Sequence, residues 1–287
     1  MRKLVLTLAV WTAGAWVPLF AQQPPSAPPA QQPSPNQAVL VQHLETMLGV
    51  WENMLPGTQT VYAEFKAFRK YNAQNGMIRT YNGQTKFMRL ADGTIGARVF
   101  LRQLDNAGKE MEKYELIICT GRDIYFVVPE EKTIYFQQLP VQKVGQVPDQ
   151  GPLAFLFGMK KTEAKRRYKM DLTKKEDWYS YLNVWPLFER DAQEFTYARL
   201  VIMNQAVQTP QRNIPAFLPR EFYWIEPNKN ENTWDITFIR QNDPSRVLRT
   251  DFMKPPLQQG WQLKQMQQAP PAAAGNSQGG NPRIVRE

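Results

Sequence analysis

Apolar positions in the stretch QAVLVQHLETMLGVWENML recur with helical spacing. Leu40, Leu44, Met47, Leu48 and Trp51 fall on one stripe, Asn36 stands where a cap belongs, and Pro56-Gly57 supplies the stop. The period then changes to two. VYAEFKAFRKY puts Val61, Ala63, Phe65 and Ala67 on one strand face, with Tyr62, Glu64, Lys66 and Phe68 on the other. Asn75-Gly76 predicts a turn, and Asn82-Gly83 predicts a break in the following strand. GQTKFMRL then alternates again, grouping Thr85, Phe87 and Arg89, and Asp92-Gly93 leads into ARVFLRQL, where Val99 and Leu101 share a face. EKYELIICT, DIYFVVP and KTIYFQQL, jointed at Gly121-Arg122 and Glu130-Glu131, predict a meander of hairpins.

The pattern is then interrupted. GPLAFLFGMKKTEAKRRY sets an apolar plug directly before a basic helix. Strands resume in RYKMDLTK and WYSYLNVWP, a short helix is predicted from Pro186, and TYARLVIMNQ, LPREFYWIEP and TWDITFIRQ close the series. TPQRNIPAFLPR, with three prolines, reads as an irregular crossing. The order is one helix, about six or seven strands, a helical insertion and about five more strands, with no repeat or linker dividing it. The fold class expected is mainly β (α+β). An antiparallel sheet of that width must close or cover its faces, and curling around helices does both.

The two ends lie outside this pattern. Arg2 and Lys3 precede the apolar run LVLTLAVWTAGAWVPLF, which closes on Ala21, as in a secretory signal. At about 17 residues the run is at the low edge of a membrane span, so a retained anchor is the alternative. Residues 22–36 and 265–287 are dominated by Pro, Gln, Ala, Ser, Gly and Asn and read as a disordered linker and tail. Residues 37–264 remain as one domain with a sizeable core.

Composition narrows the chemistry. The formal charge of +9 suits an acidic lipid surface or envelope partner, whereas an exported chain meets no nucleic acid. The single Cys119 excludes an internal disulfide, and within LIICT it reads as a small core residue. His43 is the one histidine, which removes any multi-histidine metal site, and no nucleophile elbow or phosphate loop occurs. Glu130/Glu131 and Glu176/Asp177 fall in turns and read as solvated acids. No enzyme activity, cofactor or metal is expected, and the protein is expected to be a monomer.

The order of these elements resembles the periplasmic lipoprotein-carrier superfamily, the LolA/LolB-like carriers. The matching pieces are the amphipathic helix, VYAEFKAFRKY, GQTKFMRL and ELIICTGRDIYFVVPEEKTIYFQQL, with Gly121 as the turn glycine and Tyr125-Phe126 as the aromatic pair. Pro152, Phe155 and Leu156 stand in the Pro- and Phe/Leu-rich segment that begins the family's helical hatch. The resemblance implies an open half-barrel of about eleven strands, a helical lid, and an apolar cavity for lipid or lipoprotein acyl chains. Arg89 takes the position of the family's latch residue, although Leu90 replaces the proline that follows it there.

Phe65, Phe87, Val99, Leu101, Leu116, Ile118, Phe126 and Phe136 share parity within their strands and are the expected cavity lining, with Arg89 at its edge. Leu153, Phe155, Leu156 and Phe157 would form the lid, and Lys160, Lys161, Lys165, Arg166 and Arg167 would dock an anionic membrane or an acidic partner. Alternatives stand beside each assignment. The lining residues could form an ordinary filled core, the basic run could be a solvated helix face, and the scaffold could serve as an envelope interaction or sensory module without transport. The rings of Trp178, Tyr179, Tyr181 and Trp185 could cup a sugar or acyl chain, or simply pack on the sheet.

Overall fold

A computed structural model describes residues 35–54, 57–139, 160–209 and 212–266. The signal-like segment, most of the linker, most of the tail and the plug residues Leu153, Phe155, Leu156 and Phe157 lie outside the described residues. Helix α1 (Pro35–Met54) leads into six strands: β1 (Thr60–Tyr71), β2 (Met77–Arg89), β3 (Ile95–Leu104), β4 (Glu110–Cys119), β5 (Asp123–Val128) and β6 (Thr133–Gln138). Helix α2 (Lys161–Arg167) precedes β7 (Tyr168–Lys175) and β8 (Tyr179–Pro186). Helix α3 (Glu189–Ala192) and β9 (Tyr197–Met203) follow, then β10 (Val207–Thr209), β11 (Arg212–Ile214), β12 (Pro219–Ile225), β13 (Glu231–Gln241) and β14 (Gln262–Gln265).

Among the described residues all fourteen strands join one open, curled sheet, in the order β14-β6-β5-β4-β3-β2-β1-β13-β12-β9-β8-β7, with β10 and β11 as a side hairpin. Pairing is antiparallel except for β14 on β6 and a single bridge from β11 to β13. The half-barrel expected from the sequence is therefore present. It has more strands than expected because a β10–β11 hairpin forms where TPQRNIPAFLPR begins and because β14 adds an edge beyond the recognised series.

The predicted α1 stripe is the one that packs. Met47, Leu48 and Trp51 are buried on the concave face against Phe65, Leu182, Leu200 and Phe222, with Leu40 and Leu44 partly buried beside them. Burying each such side chain stabilises by about 1.5–3 kcal/mol, enough to hold a helix that is marginal alone. Trp51 Nε1 also donates to the Phe217 carbonyl at 2.6 Å, fixing the C-terminal end of α1 to the loop before β12.

β2 does not break at Asn82-Gly83; it pairs continuously with β1 from Met77 to Met88. Gly83 lies opposite Phe65, and a Cβ there would come 2.3 Å from the Phe65 ring. Glycine is needed for ring clearance rather than for a turn. The Phe65 ring lies over that bare backbone and stacks on Trp234 with centroids 4.3 Å apart.

The convex face is also covered. The chain after β13 crosses it, burying Val247 and Phe252 against Tyr62, Met88 and Phe238. Asp251 accepts from Lys86 Nζ at 2.9 and 3.0 Å. Trp261 packs on a second convex cluster of Ile118, Tyr125, Val127 and Ile134.

Arg167 and Asp191 form a buried pair that ties the end of α2 to α3, with Arg167 Nε donating to Asp191 Oδ2 at 3.0 Å. Replacing Arg167 with Met alone leaves the buried Asp191 carboxylate with only Arg190 Nε at 3.8 Å and is expected to cost about 3–5 kcal/mol, whereas Arg167→Met with Asp191→Leu should recover most of that loss. Urea unfolding of both variants checks this. In the same assay Gly83→Ala should destabilise by about 1–3 kcal/mol, because the Phe65 ring cannot stay in place above a methyl group.

Candidate functional site

Strand register divides the expected lining into two faces. Phe65 pairs with Gly83, Gly83 with Leu101, Thr85 with Val99, and Val61 with Phe87, so Phe65, Phe87, Val99 and Leu101 share the concave face. Continuing across the sheet, Val99 pairs with Ile117 and Ile117 with Phe126, which keeps Phe126 concave. Leu116 and Ile118 pair instead with Phe100 and Arg98 on the convex face, and Phe136 pairs with Tyr125 there. These three belong to the cluster under Trp261 and do not line a concave cavity. LIIC is apolar on both faces, so alternation within β4 cannot choose between Leu116/Ile118 and Ile117/Cys119; only the pairing with β3 does. Ile117 is the concave residue that parity missed.

The concave face is filled on one side and open on the other. Phe65, Phe87 and Leu101 are buried, whereas Val99, Ile117 and Phe126 remain half-exposed. Over β2–β5 lies a recess of about 420 Å³, lined by Arg79, Tyr81, Gln103, Glu115, Ile117 and Phe126, with Lys113, Glu130 and Glu131 among its other residues. Glu115 is held at its floor by Arg69 Nη1, at 2.9 and 2.7 Å. The charge of Glu115 supports the Arg69 guanidinium against burial, and the net effect raises its pKa. Tyr81 is driven well above the ordinary phenol range, first by burial and then by its contact with the Tyr71 hydroxyl at 3.5 Å. Arg79 lies over the Tyr71 ring at 5.1 Å. The recess thus joins an aromatic and aliphatic wall to a polar floor.

A second, small apolar pocket of about 30 Å³ sits where β1, β2, β12 and β13 meet, lined by Phe65, Phe87, Leu218, Trp234, Ile236 and Ile239 among others. Arg89 lies beside it, lining a neighbouring pocket that shares Val61 and Phe87. Its backbone N–H donates to the Gln59 carbonyl at 2.9 Å. Its guanidinium makes no ion pair with a described residue.

The basic run is mostly consumed within the fold. Arg167 is buried on Asp191, so it cannot dock a membrane. Lys161 pairs with Glu45 of α1 at 2.5 Å, and Lys165 pairs with the other oxygen of the same carboxylate. Arg166 rests over the Phe188 ring at 5.8 Å and near Glu163 at 3.9 Å, and Lys160 is exposed. Spacing showed a cationic helix but could not show that acids on α1 and α3 would meet it.

His43 turns inward. Its Nε2 lies 2.9 Å from Ser180 Oγ and 3.3 Å from Asn204 Oδ1, and Ser180 Oγ donates to Asn204 Oδ1 at 2.7 Å. Burial holds the imidazole pKa below its ordinary value. Ser180 is 0% exposed, so no substrate reaches its oxygen; the network anchors α1 to the sheet. No cluster of three metal-ligating side chains occurs among the described residues. Glu176 and Glu131 are bonded to Tyr181 and Tyr135 respectively, and the aromatic group is dispersed. Trp185 joins Tyr197 at 5.5 Å, while Tyr179 lies under Arg220 at 5.3 Å.

No protein-family model matches the chain, and no curated relative matches it. Similar solved structures include a DUF1329 family protein from Desulfovibrio piger (8% identity, 75% of this chain and 98% of that one covered, TM-score 0.40). An outer membrane lipoprotein-sorting protein domain from Vibrio parahaemolyticus is 10% identical, with 76% of this chain and 96% of that one covered and a TM-score of 0.30. LprF from Mycobacterium bovis is 9% identical, covering 71% of this chain and 94% of that one at a TM-score of 0.33. At these values the likeness concerns the fold, and no ligand or partner follows from it.

The Glu45 clamp makes a pH dependence testable. Hydrogen bonds from Lys161 and then Lys165 hold the Glu45 carboxyl below its ordinary value of 4.5. A depressed folded pKa contributes stability that is complete above the unfolded value and lost as pH falls through the folded one. The stability advantage of wild type over Glu45→Gln should therefore be constant near neutrality and vanish in acid, as read by urea unfolding across pH.

Proposed function

We propose that this chain is an exported envelope protein that binds acyl chains of a lipid or lipoprotein on the concave face of its half-barrel. The observation that carries the reading is the incomplete filling of that face. α1 packs one part of it, while Val99, Ile117 and Phe126 stay half-exposed beside a recess of about 420 Å³. That volume falls within the roughly 300–1,000 Å³ of small-molecule sites. Exposed apolar surface gains about 25 cal/mol per Å² when covered, so an acyl chain exchanges a lipid environment for the protein's wall at little net cost. The free guanidinium of Arg89 can meet an anionic head group at the far end of the same face.

Export rests on the basic, apolar and small-residue order of residues 1–21. Among the described residues no helix is long and apolar enough to cross a membrane. The domain is taken as residues 37–264 and as a monomer. An envelope interaction module on the same scaffold is the second reading. It loses its main support where Lys161, Lys165 and Arg167 are engaged internally.

Protein extracted gently from cells is expected to carry lipid detectable by mass spectrometry, and purified protein should take up a fluorescent fatty acid. Phe126→Asp should reduce that uptake about tenfold or more while changing stability by less than about 1 kcal/mol, since the ring is only half-buried. No co-purifying lipid together with no uptake by wild type would overturn the reading in favour of the interaction module.

A further inference from the structure

One wall residue of the small apolar pocket, Trp234, carries a polar atom with nothing to bond among the described residues. Trp234 is 7% exposed, and its Nε1–H is buried without an acceptor among the described residues. The ring cannot readily turn to find one. It is stacked on Phe65 at 4.3 Å and 18°, and set edgewise to Trp224 at 5.4 Å and 82°. A buried donor left unbonded destabilises the fold, so its retention here calls for a partner that is not part of the described chain.

The lining decides what that partner is. Phe65, Phe87, Leu218, Ile236 and Ile239 are apolar, and Thr85 already donates its hydroxyl to the Arg98 carbonyl at 3.3 Å. Gln241 is the one other polar side chain on the wall, so the pocket is apolar apart from a few hydrogen-bonding points. The volume, about 30 Å³, admits a group of very few atoms. A single acceptor carried on an apolar body fits both the size and the chemistry. A second buried donor without a partner, Thr60 Oγ1, lines the adjoining pocket that shares Val61 and Phe87.

We infer that this pocket takes the carbonyl of an acyl ester, with Trp234 Nε1–H donating to its oxygen and the flanking methylenes lying against Phe65, Phe87 and Ile236. The inference rests on the acyl-binding reading and narrows it: the ligand is recognised as an ester, not as hydrocarbon alone. No covalent step is involved.

Trp234→Phe removes the donor and keeps an aromatic ring on Phe65. Calorimetric titration of the full chain with methyl decanoate and, separately, undecane tests the assignment. Wild type should bind the ester about tenfold more tightly than the hydrocarbon, the worth of one buried hydrogen bond. Trp234→Phe should lose that preference and bind the ester no more tightly than undecane, because the carbonyl is then buried without a donor. If Trp234→Phe keeps the ester preference, or wild type shows none, the carbonyl assignment fails while acyl binding stands. Binding of neither probe to wild type would overturn the acyl reading and this inference together.

Discussion

A wide antiparallel sheet rich in apolar residues has two faces to remove from water, and this constraint organises the molecule. The concave face receives α1 through Met47, Leu48 and Trp51, and the convex face receives the chain from Val247 to Trp261. Neither cover is an appendage. Gly96 marks how closely the convex cover is pressed on the sheet, since a Cβ there would strike the ring of Phe252. The strand series alone would leave both clusters wet, and close packing of the covers makes the curl a fixed shape.

Charge serves this architecture before it serves any partner. α2 is joined to α1 by Lys161 and Lys165 on Glu45, and to α3 by Arg167 on Asp191. The two connections differ in kind. The Glu45 clamp is partly solvated and contributes modestly, as exposed ion pairs do. The Arg167 pair is buried, so breaking it costs more than replacing it with apolar side chains would. A basic segment that looks like a docking surface in sequence thus proves to be largely an internal tie.

The elements were legible because helical stripe and strand alternation are local signals. α1, the meander of β1–β6 and the later long strands all stand where their apolar spacing puts them. What failed depended on neighbours. Gly83 carries a turn signature but serves a ring on the adjacent strand. Leu116, Ile118 and Phe136 carry the right parity for their own strands and the wrong face for the sheet. The segment from Val247 to Phe252 has no strand period, so nothing in its sequence announces that it covers Tyr62 and Phe238. The same limit hid His43, whose partners Ser180 and Asn204 are far away along the chain.

The two vacancies on the concave face have different physical origins, and the difference bears on how a ligand would sit. The recess over β2–β5 is open because α1 reaches only part of a broad sheet, and its floor of Arg69, Glu115 and Tyr81 is internally satisfied. Such a surface favours apolar contact of loose specificity, since the polar groups at its floor are already bonded to one another. The pocket at Trp234 is tighter, more apolar and incompletely bonded. A group entering it gains both burial and a hydrogen bond made in a site that excludes water, where an unmet donor is costly. Affinity would therefore come mainly from the broad face, and chemical selectivity from the narrow one. Because Phe65 is shared between the packed core and the narrow pocket, occupancy there should also stiffen the Phe65–Trp234 stack within that core.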